Sequence, residues 1–253
     1  MKKILISICA CFGVINLVIA DTMNVNWMVD GSVYDTSTCT VGGDLIIPAT
    51  TPTKYGYHFV GWGPYSLLEY IESDGTQYIN TDYIPLTQNV TYYFSIQATA
   101  TTYSERHASQ MACGRIQFWQ SPGGIWRIYE QSPDFSASTS YEVNQKVDVV
   151  INNNYDANTF SISINNTSIQ TGATARSNTC DTGLVLFAHG RAGSYPFIGR
   201  IYYYKIYDNG LLAFNAVPVR RNTDGAIGMF DTVGGTFLQN SGTGVFIPGP
   251  TIN

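Results

Sequence analysis

The chain has 253 residues, 44% of them hydrophobic and 13% aromatic, with 12% charged and a net charge of −5. That is enough apolar mass for a large core and too little positive charge for a nucleic-acid partner. Charged residues reach only half the usual share of roughly 25%, so solubility falls to Ser, Thr, Asn and Gln, a balance that suits an extracellular β protein better than a cytosolic enzyme.

Met1 to Ala20 reads as a secretory signal peptide. Lys2 and Lys3 form a basic start, Ile4 to Ile19 is apolar, and Val18-Ile19-Ala20 places short side chains just before Asp21-Thr22. Its removal takes Lys2 and Lys3 away, so the 13 basic residues become 11 against 18 acidic ones, net −7. No second apolar run is long enough to span a bilayer. The expected product is secreted or held at the cell surface by non-covalent contacts, without a stable membrane span. Cys39, Cys113 and Cys180 remain. Export permits disulfides, an odd count leaves a thiol over, and both a Cys113–Cys180 bridge and buried free thiols stay open.

Residues 21–63 form a first, small module. Val25, Trp27 and Val29 alternate with polar neighbours, which predicts a half-buried strand. Asp30-Gly31 predicts a hairpin turn into a second strand over Val33 to Thr40. Gly42-Gly43 turns again, and Leu45-Ile46-Ile47 is a short apolar strand stopped by Pro48. Tyr57 to Trp62 alternates once more, so Trp27, Phe59 and Trp62 are the expected core anchors. Val25-Asn26-Trp27, Thr40-Val41-Gly42-Gly43 and above all Pro52-Thr53-Lys54-Tyr55-Gly56-Tyr57-His58-Phe59-Val60-Gly61-Trp62 resemble a Listeria–Bacteroides repeat. The resemblance implies a β-grasp-like module of a bacterial surface protein. Such repeats occur in tandem, whereas one copy stands here.

Residues 64–253 have the rhythm of a β-sandwich: short strands between turn signals. Leu68 to Ile71 and Gln77 to Asn80 flank Asp74-Gly75. Val90, Tyr92, Phe94 and Ile96 alternate against Thr91, Tyr93, Ser95 and Gln97. Arg115 to Gln120 and Ile125 to Glu130 flank the hairpin Ser121-Pro122-Gly123-Gly124. Lys146 to Asn152 and Thr159 to Ile164 each present one apolar face, and Leu184 to Ala188 is the next strand. Phe197 to Asp208 carries rings on both faces and ends at Asn209-Gly210. Ile201 and Ile206 are both expected in the core despite their opposite phase, which requires a β-bulge among Tyr202, Tyr203 and Tyr204. Ala226 to Phe230 and Thr236 to Leu238 close the series. No window shows a sustained helical period.

Three separated blocks resemble laminin-G-like, concanavalin A-like jelly rolls. They are Leu68-Glu69-Tyr70-Ile71-Glu72-Ser73-Asp74-Gly75, Phe197 to Gly210, and Pro218-Val219-Arg220-Arg221 with Asp224-Gly225 and Ile227-Gly228-Met229-Phe230-Asp231. The fold class expected is therefore all-β, a small β-grasp-like module followed by a jelly-roll β-sandwich. The resemblance also implies calcium at a sandwich rim, for which Asp74, Asp181, Asp208 and Asn209 supply loop oxygens; each of them also serves as an ordinary turn former.

Catalytic patterns are sparse. The Glu-x-Asp-x-x-Glu spacing of retaining glucanases is absent, and Glu69-Tyr70-Ile71-Glu72 has the wrong spacing; carboxylates from separate strands stay open. There is no Gly-x-Ser-x-Gly elbow. His58, His107 and His189 are spread over different segments, with His58 expected at the surface and His189 in a loop hydrogen bond. Carbohydrate recognition needs outward aromatic rings, and the hairpin phase offers Trp119 with Arg127 and Tyr129, while Tyr203 is a further outward ring. The function expected is a non-enzymatic binding or adhesion protein that takes a glycan or a host or matrix protein. The alternatives are a polysaccharide-processing enzyme on the same fold and a purely structural surface component.

Overall fold

The architecture is that of a computed structural model, which describes residues 2–3, 22–29, 32–40, 48–50, 53, 57–58, 64–101, 106–111, 116–122, 125–130, 136–140, 142–173, 175, 177 and 183–252. The chain divides into two compact units. One is Met1–Ser66 with Arg220–Ala226, the other Leu67–Val219 with Ile227–Asn253.

In the first unit β1 (Lys2–Lys3) precedes the hairpin of β2 (Thr22–Val29) and β3 (Ser32–Thr40), and β4 (Tyr57–His58) follows, pairing with β1. The hairpin strands lie where the alternation predicts them. Trp27 is buried, and its indole N–H donates to Ser37 Oγ at 2.9 Å. The apolar interior of the signal segment, the Leu45–Ile47 strand, Phe59 and Trp62 lie outside the described residues, as do Cys113, Cys180 and the side chains of Cys39 and His58.

After β5 (Tyr65–Leu67), the second unit contributes β6 (Ile71–Asp74), β7 (Ile79–Asn80), β8 (Asn89–Ala98), β9 (Arg106–Met111), β10 (Ile116–Ser121), β11 (Ile125–Glu130) and β12 (Ser136–Ser140). Then come β13 (Lys146–Asn154), β14 (Thr159–Ile164), β15 (Thr167–Ala173), β16 (Val185–Leu186), β17 (Ile198–Asp208), β18 (Leu211–Arg221), β19 (Ile227–Asp231), β20 (Thr236–Leu238) and β21 (Ile247–Pro248). They form two sheets. A six-stranded sheet runs β12-β11-β10-β9-β16-β7, and a larger one runs β15-β14-β13-β8-β17-β18-β19-β20 with β6 added beside β17 and β21 beside β6. The described residues contain no helix. The fold is an all-β jelly-roll sandwich, as the strand rhythm predicts.

The alternation of β8 buries Val90, Tyr92, Phe94, Ile96 and Ala98, and that of β13 buries Val147, Val149 and Ile151. Their inward rings meet those of the six-stranded sheet: Phe94 lies 5.3 Å from Phe118, and Phe118 lies 5.0 Å from Trp126. Aromatic side chains bury large areas each, so this ring stack holds the sheets together. The bulge predicted in β17 is present. Ile96 pairs with Ile201 but Ser95 pairs with Tyr203, so Tyr202 is the extra residue. Ile201, Tyr204 and Ile206 are all fully buried as a result, while Tyr202 and Tyr203 both turn outward. Tyr204 stacks on Phe94 with centroids 4.9 Å apart.

Leu184 to Ala188 yields only the two-residue strand β16, because Phe187 adopts φ 64° and bends the chain out of extended geometry. Strands β9, β12, β15 and the first half of β18 are additions to the expected set.

Candidate functional site

The outer face of the six-stranded sheet collects the functional side chains. In β10, Ile116, Phe118 and Gln120 point inward, so Gln117 and Trp119 point outward. In β11, Trp126 and Ile128 are buried and Arg127 is exposed. The register sets Trp119 directly opposite Arg127 and Gln117 opposite Tyr129. Trp119 and Arg127 are thus paired across the hairpin. Tyr129 shares their face by backbone register, and its side chain lies outside the described residues.

On the other side of β10 lies β9, whose His107 pairs with Trp119 across a register shift. The two rings meet edge to face at 4.7 Å. His189 joins them, its ring 4.9 Å from His107, and Gln117 Nε2 lies 3.2 Å from His189 Nε2. With the amide donating, the His189 proton sits on Nδ1. Tyr195 is 52% exposed and lies 5.7 Å from the His107 ring and 6.1 Å from that of His189. Two of the three histidines that the sequence scatters are therefore neighbours.

The loop that carries His189 and Tyr195 is tightly fixed. His189 and Ser194 exchange backbone hydrogen bonds at 2.8 and 3.0 Å, and Gly193 N–H donates to Gly190 at 3.0 Å. Four residues here have positive φ: Phe187 at 64°, Gly190 at 67°, Gly193 at 70° and Tyr195 at 49°. Left-handed backbone is costly for a phenylalanine or a tyrosine and persists only where the surroundings over-determine it. Here Phe187 N–H donates to Ala108, its carbonyl accepts from Phe197, and His107 N–H donates to the Tyr195 carbonyl, at 2.8, 2.8 and 2.9 Å. These hydrogen bonds hold His189 and Tyr195 against β9.

His107 is 2% exposed, and among the described residues its Nδ1 has no hydrogen-bond partner. Burial, and then the neighbouring His189, push its pKa down to about 3. It is a neutral wall of the site at physiological pH.

Tyr203 belongs elsewhere. It lies on the outer face of the larger sheet, where its hydroxyl is 3.5 Å from Asp148 and Lys205 Nζ stands 5.3 Å from its ring centre. It cannot act with Trp119 and Arg127 on one ligand, because the sandwich core separates the two faces.

The calcium candidates do not converge either. Asp74 closes its own turn, accepting from Thr76 N at 3.0 Å and Thr76 Oγ1 at 2.8 Å. Asp208 is buried at the far end of β17 and accepts from the backbone of Leu86 and Thr87 and from the Thr87 hydroxyl. Asp74 pairs with Ile198 at the start of that strand, so about 33 Å of extended chain separates the two aspartates. Asn209, with φ 49°, forms the β17–β18 turn with Gly210. Asp181 lies outside the described residues. Among the described residues no three His, Cys, Asp or Glu side chains gather at one point. Asp208→Ala strips the 86–87 segment of its acceptor, so a loss of about 1–3 kcal/mol is expected in urea unfolding, with calcium unable to restore it; an unchanged midpoint would contradict this structural role.

No protein-family model matches the sequence. No curated protein matches it either. Solved structures do match in fold. A protein of Bacteroides ovatus, provisionally named as carbohydrate-binding, aligns at 11% identity over 90% of this chain and 70% of that one, with a TM-score of 0.53. The CBM40 of the Ruminococcus gnavus IT-sialidase bound to α2,3-sialyllactose aligns at 14% identity over 55% and 89%, TM-score 0.43. Mouse laminin alpha1 chain domains align at 11% identity over 66% and 48%, TM-score 0.40. At these identities the likeness speaks to fold alone.

Proposed function

We propose that this chain is a secreted or cell-surface carbohydrate-binding protein whose ligand lies on the outer face of the six-stranded sheet. The observation that carries the reading is the convergence of Trp119, Arg127, His189 and Tyr195 on one face, with the buried Gln117 holding His189 from within the sheet. Sugar rings present an apolar face and a rim of hydroxyls. An aromatic platform takes the first, and imidazole and guanidinium groups take the second. A neutral, buried His107 backs the platform without bringing a second fixed charge beside Arg127. The name of the Bacteroides ovatus protein supports the same class of ligand. Export rests on the signal-like amino terminus, and bacterial surface placement on the Pro52–Trp62 resemblance.

A glycan array probed with the folded chain tests this. Binding to a restricted set of oligosaccharides is expected, and Trp119→Ala is expected to weaken it at least tenfold, about 1.4 kcal/mol, at a temperature where the variant is still cooperatively folded. A blank array, or binding indifferent to Trp119, would overturn the proposal. Release of new reducing ends from the bound glycans would reassign the chain to polysaccharide processing.

A further inference from the structure

A second feature of the same unit stands apart from this face. At the β7 edge of the six-stranded sheet opens a cleft of about 400 Å3, lined by Asn80, Asp82, Arg191, Phe237, Gln239 and Ser241 among others. Ligand sites fall in this size range, and convergent polar groups fix a ligand's orientation within them. We propose that the cleft is a separate binding site for a single neutral sugar ring.

The polar groups are arranged for hydroxyls. Arg191 and Asp82 pair at 2.5 Å, with side chains 51% and 73% exposed. Asn80 Nδ2 donates to the Arg191 carbonyl at 3.3 Å, while its Oδ1 is buried and, among the described residues, has no donor. That bond ties the Asn80 side chain to the loop that carries Arg191. Ser241 Oγ accepts from Asn80 N–H at 3.3 Å, which leaves its own proton to donate. A guanidinium offers several further N–H donors beyond the one facing Asp82, and a carboxylate has several lone pairs. Adjacent sugar hydroxyls, each both donor and acceptor, match this set. The half-buried Phe237 supplies an apolar wall for the C–H face of the ring.

Charge sets the class of ligand. Asp82 and Arg191 are the two charged residues of the described lining, and they neutralise one another. An acidic sugar drawn to Arg191 meets the Asp82 carboxylate beside it, and a cationic one drawn to Asp82 meets the Arg191 guanidinium, so neither charge is favoured.

The site is also built in advance. Asp82 has φ 58°, and a Cβ on Gly183 would stand 2.7 Å from the Asp82 Cα, so the two backbones are in contact. Thr81 N and Oγ1 both donate to the Leu184 carbonyl, at 3.0 and 2.9 Å. On the opposite wall a Cβ on Gly193 would stand 2.3 Å from the Tyr78 ring, which fixes the loop that carries Arg191. β7 lies three strands from β10, about 14 Å away, too far for one ring to touch both Asn80 and Trp119.

Saturation-transfer NMR and calorimetry on the full chain with free galactose, glucose, mannose and N-acetylglucosamine test the proposal. At least one of the four is expected to bind with Kd of about 1 mM. Arg191→Met and Asp82→Asn, the latter chosen because Asn tolerates positive φ, are expected to weaken it at least tenfold. Trp119→Ala is expected to leave it unchanged even where oligosaccharide binding is lost. No binding by any of the four overturns the cleft, as does binding that survives both cleft variants, binding lost with Trp119→Ala, or a preference for free N-acetylneuraminic acid. A blank array with monosaccharide still bound in the cleft would sink the Trp119 face alone.

Discussion

Tyr204→Ala is expected to cost about 3–5 kcal/mol, as truncation of a buried aromatic does, whereas Tyr202→Ala and Tyr203→Ala are each expected to cost about 1 kcal/mol or less. The contrast follows from the bulge at Tyr202. It places three consecutive tyrosines in different surroundings: Tyr204 fully buried on Phe94, Tyr202 and Tyr203 on the outer face. Tyr202 keeps a hydrogen bond to Gln97 Oε1 at 2.7 Å and an edge contact with Tyr70 at 5.4 Å, and its own ring is only half-buried. A domain is stable by only about 5–15 kcal/mol, so the Tyr204 variant should lose much of its cooperative unfolding free energy. Equal losses at the three positions in urea titrations would mean that β17 runs without the bulge. Strict alternation would then expose either Ile201 or Ile206, so the test bears on the register of the whole larger sheet.

The second large effect is acid destabilisation through His107. Its folded pKa is depressed to about 3 by burial and by His189, against an unfolded value near 6.5. Above pH ~6.5 both states are neutral and the group contributes no pH dependence. As the pH falls from about 6.5 towards 3, the unfolded chain takes up a proton that the native state refuses, so stability falls by about 1.4 kcal/mol per pH unit. Between pH 7 and pH 4 this one group is expected to account for about 3 kcal/mol. His107→Phe removes the titrating site while keeping a ring beside Trp119, and should flatten that part of the stability curve relative to the wild type. A parallel curve for the variant, or an imidazole NMR titration near pH 6.5, would show that His107 is solvated.

Much of the sandwich is legible in the sequence because one face of each long strand is buried. The alternation of β8, β13 and β14 is clean, and the clash of phases between Ile201 and Ile206 points to a bulge from the sequence alone. The strands that escape are those without an apolar face. Arg106-His107-Ala108-Ser109-Gln110-Met111 in β9 has no period-two pattern, since a register shift sets the polar Ser109 opposite Phe118 and His107 opposite Trp119. Ser136–Ser140 and Thr167–Ala173 are sheet edges, polar along most of their length, as edges that resist further pairing tend to be. The start of β18 hides in Leu211-Leu212, which the Asn209-Gly210 turn folds back exposed.

The candidate site divides in the same way. Trp119 and Arg127 sit on two strands of one tight hairpin, so phase alone sets them opposite each other. His189 and Tyr195 reach them only through the β10-β9-β16 strand order and the left-handed turn at Phe187, neither of which any local pattern encodes. Tyr203 shows the converse error. Its outward phase is real, but phase does not say which sheet a strand belongs to, and it faces away from Trp119 across the core.

The most direct test of the Trp119 face is the indole N–H spectrum of the 15N-labelled chain, titrated with an oligosaccharide selected on the array. The Trp119 resonance should shift with ligand while that of Trp126, buried in the core beneath the same hairpin, stays in place. Shifts confined to residues around Tyr203, or movement of neither indole at saturating ligand, would contradict a binding site on the outer face of the six-stranded sheet.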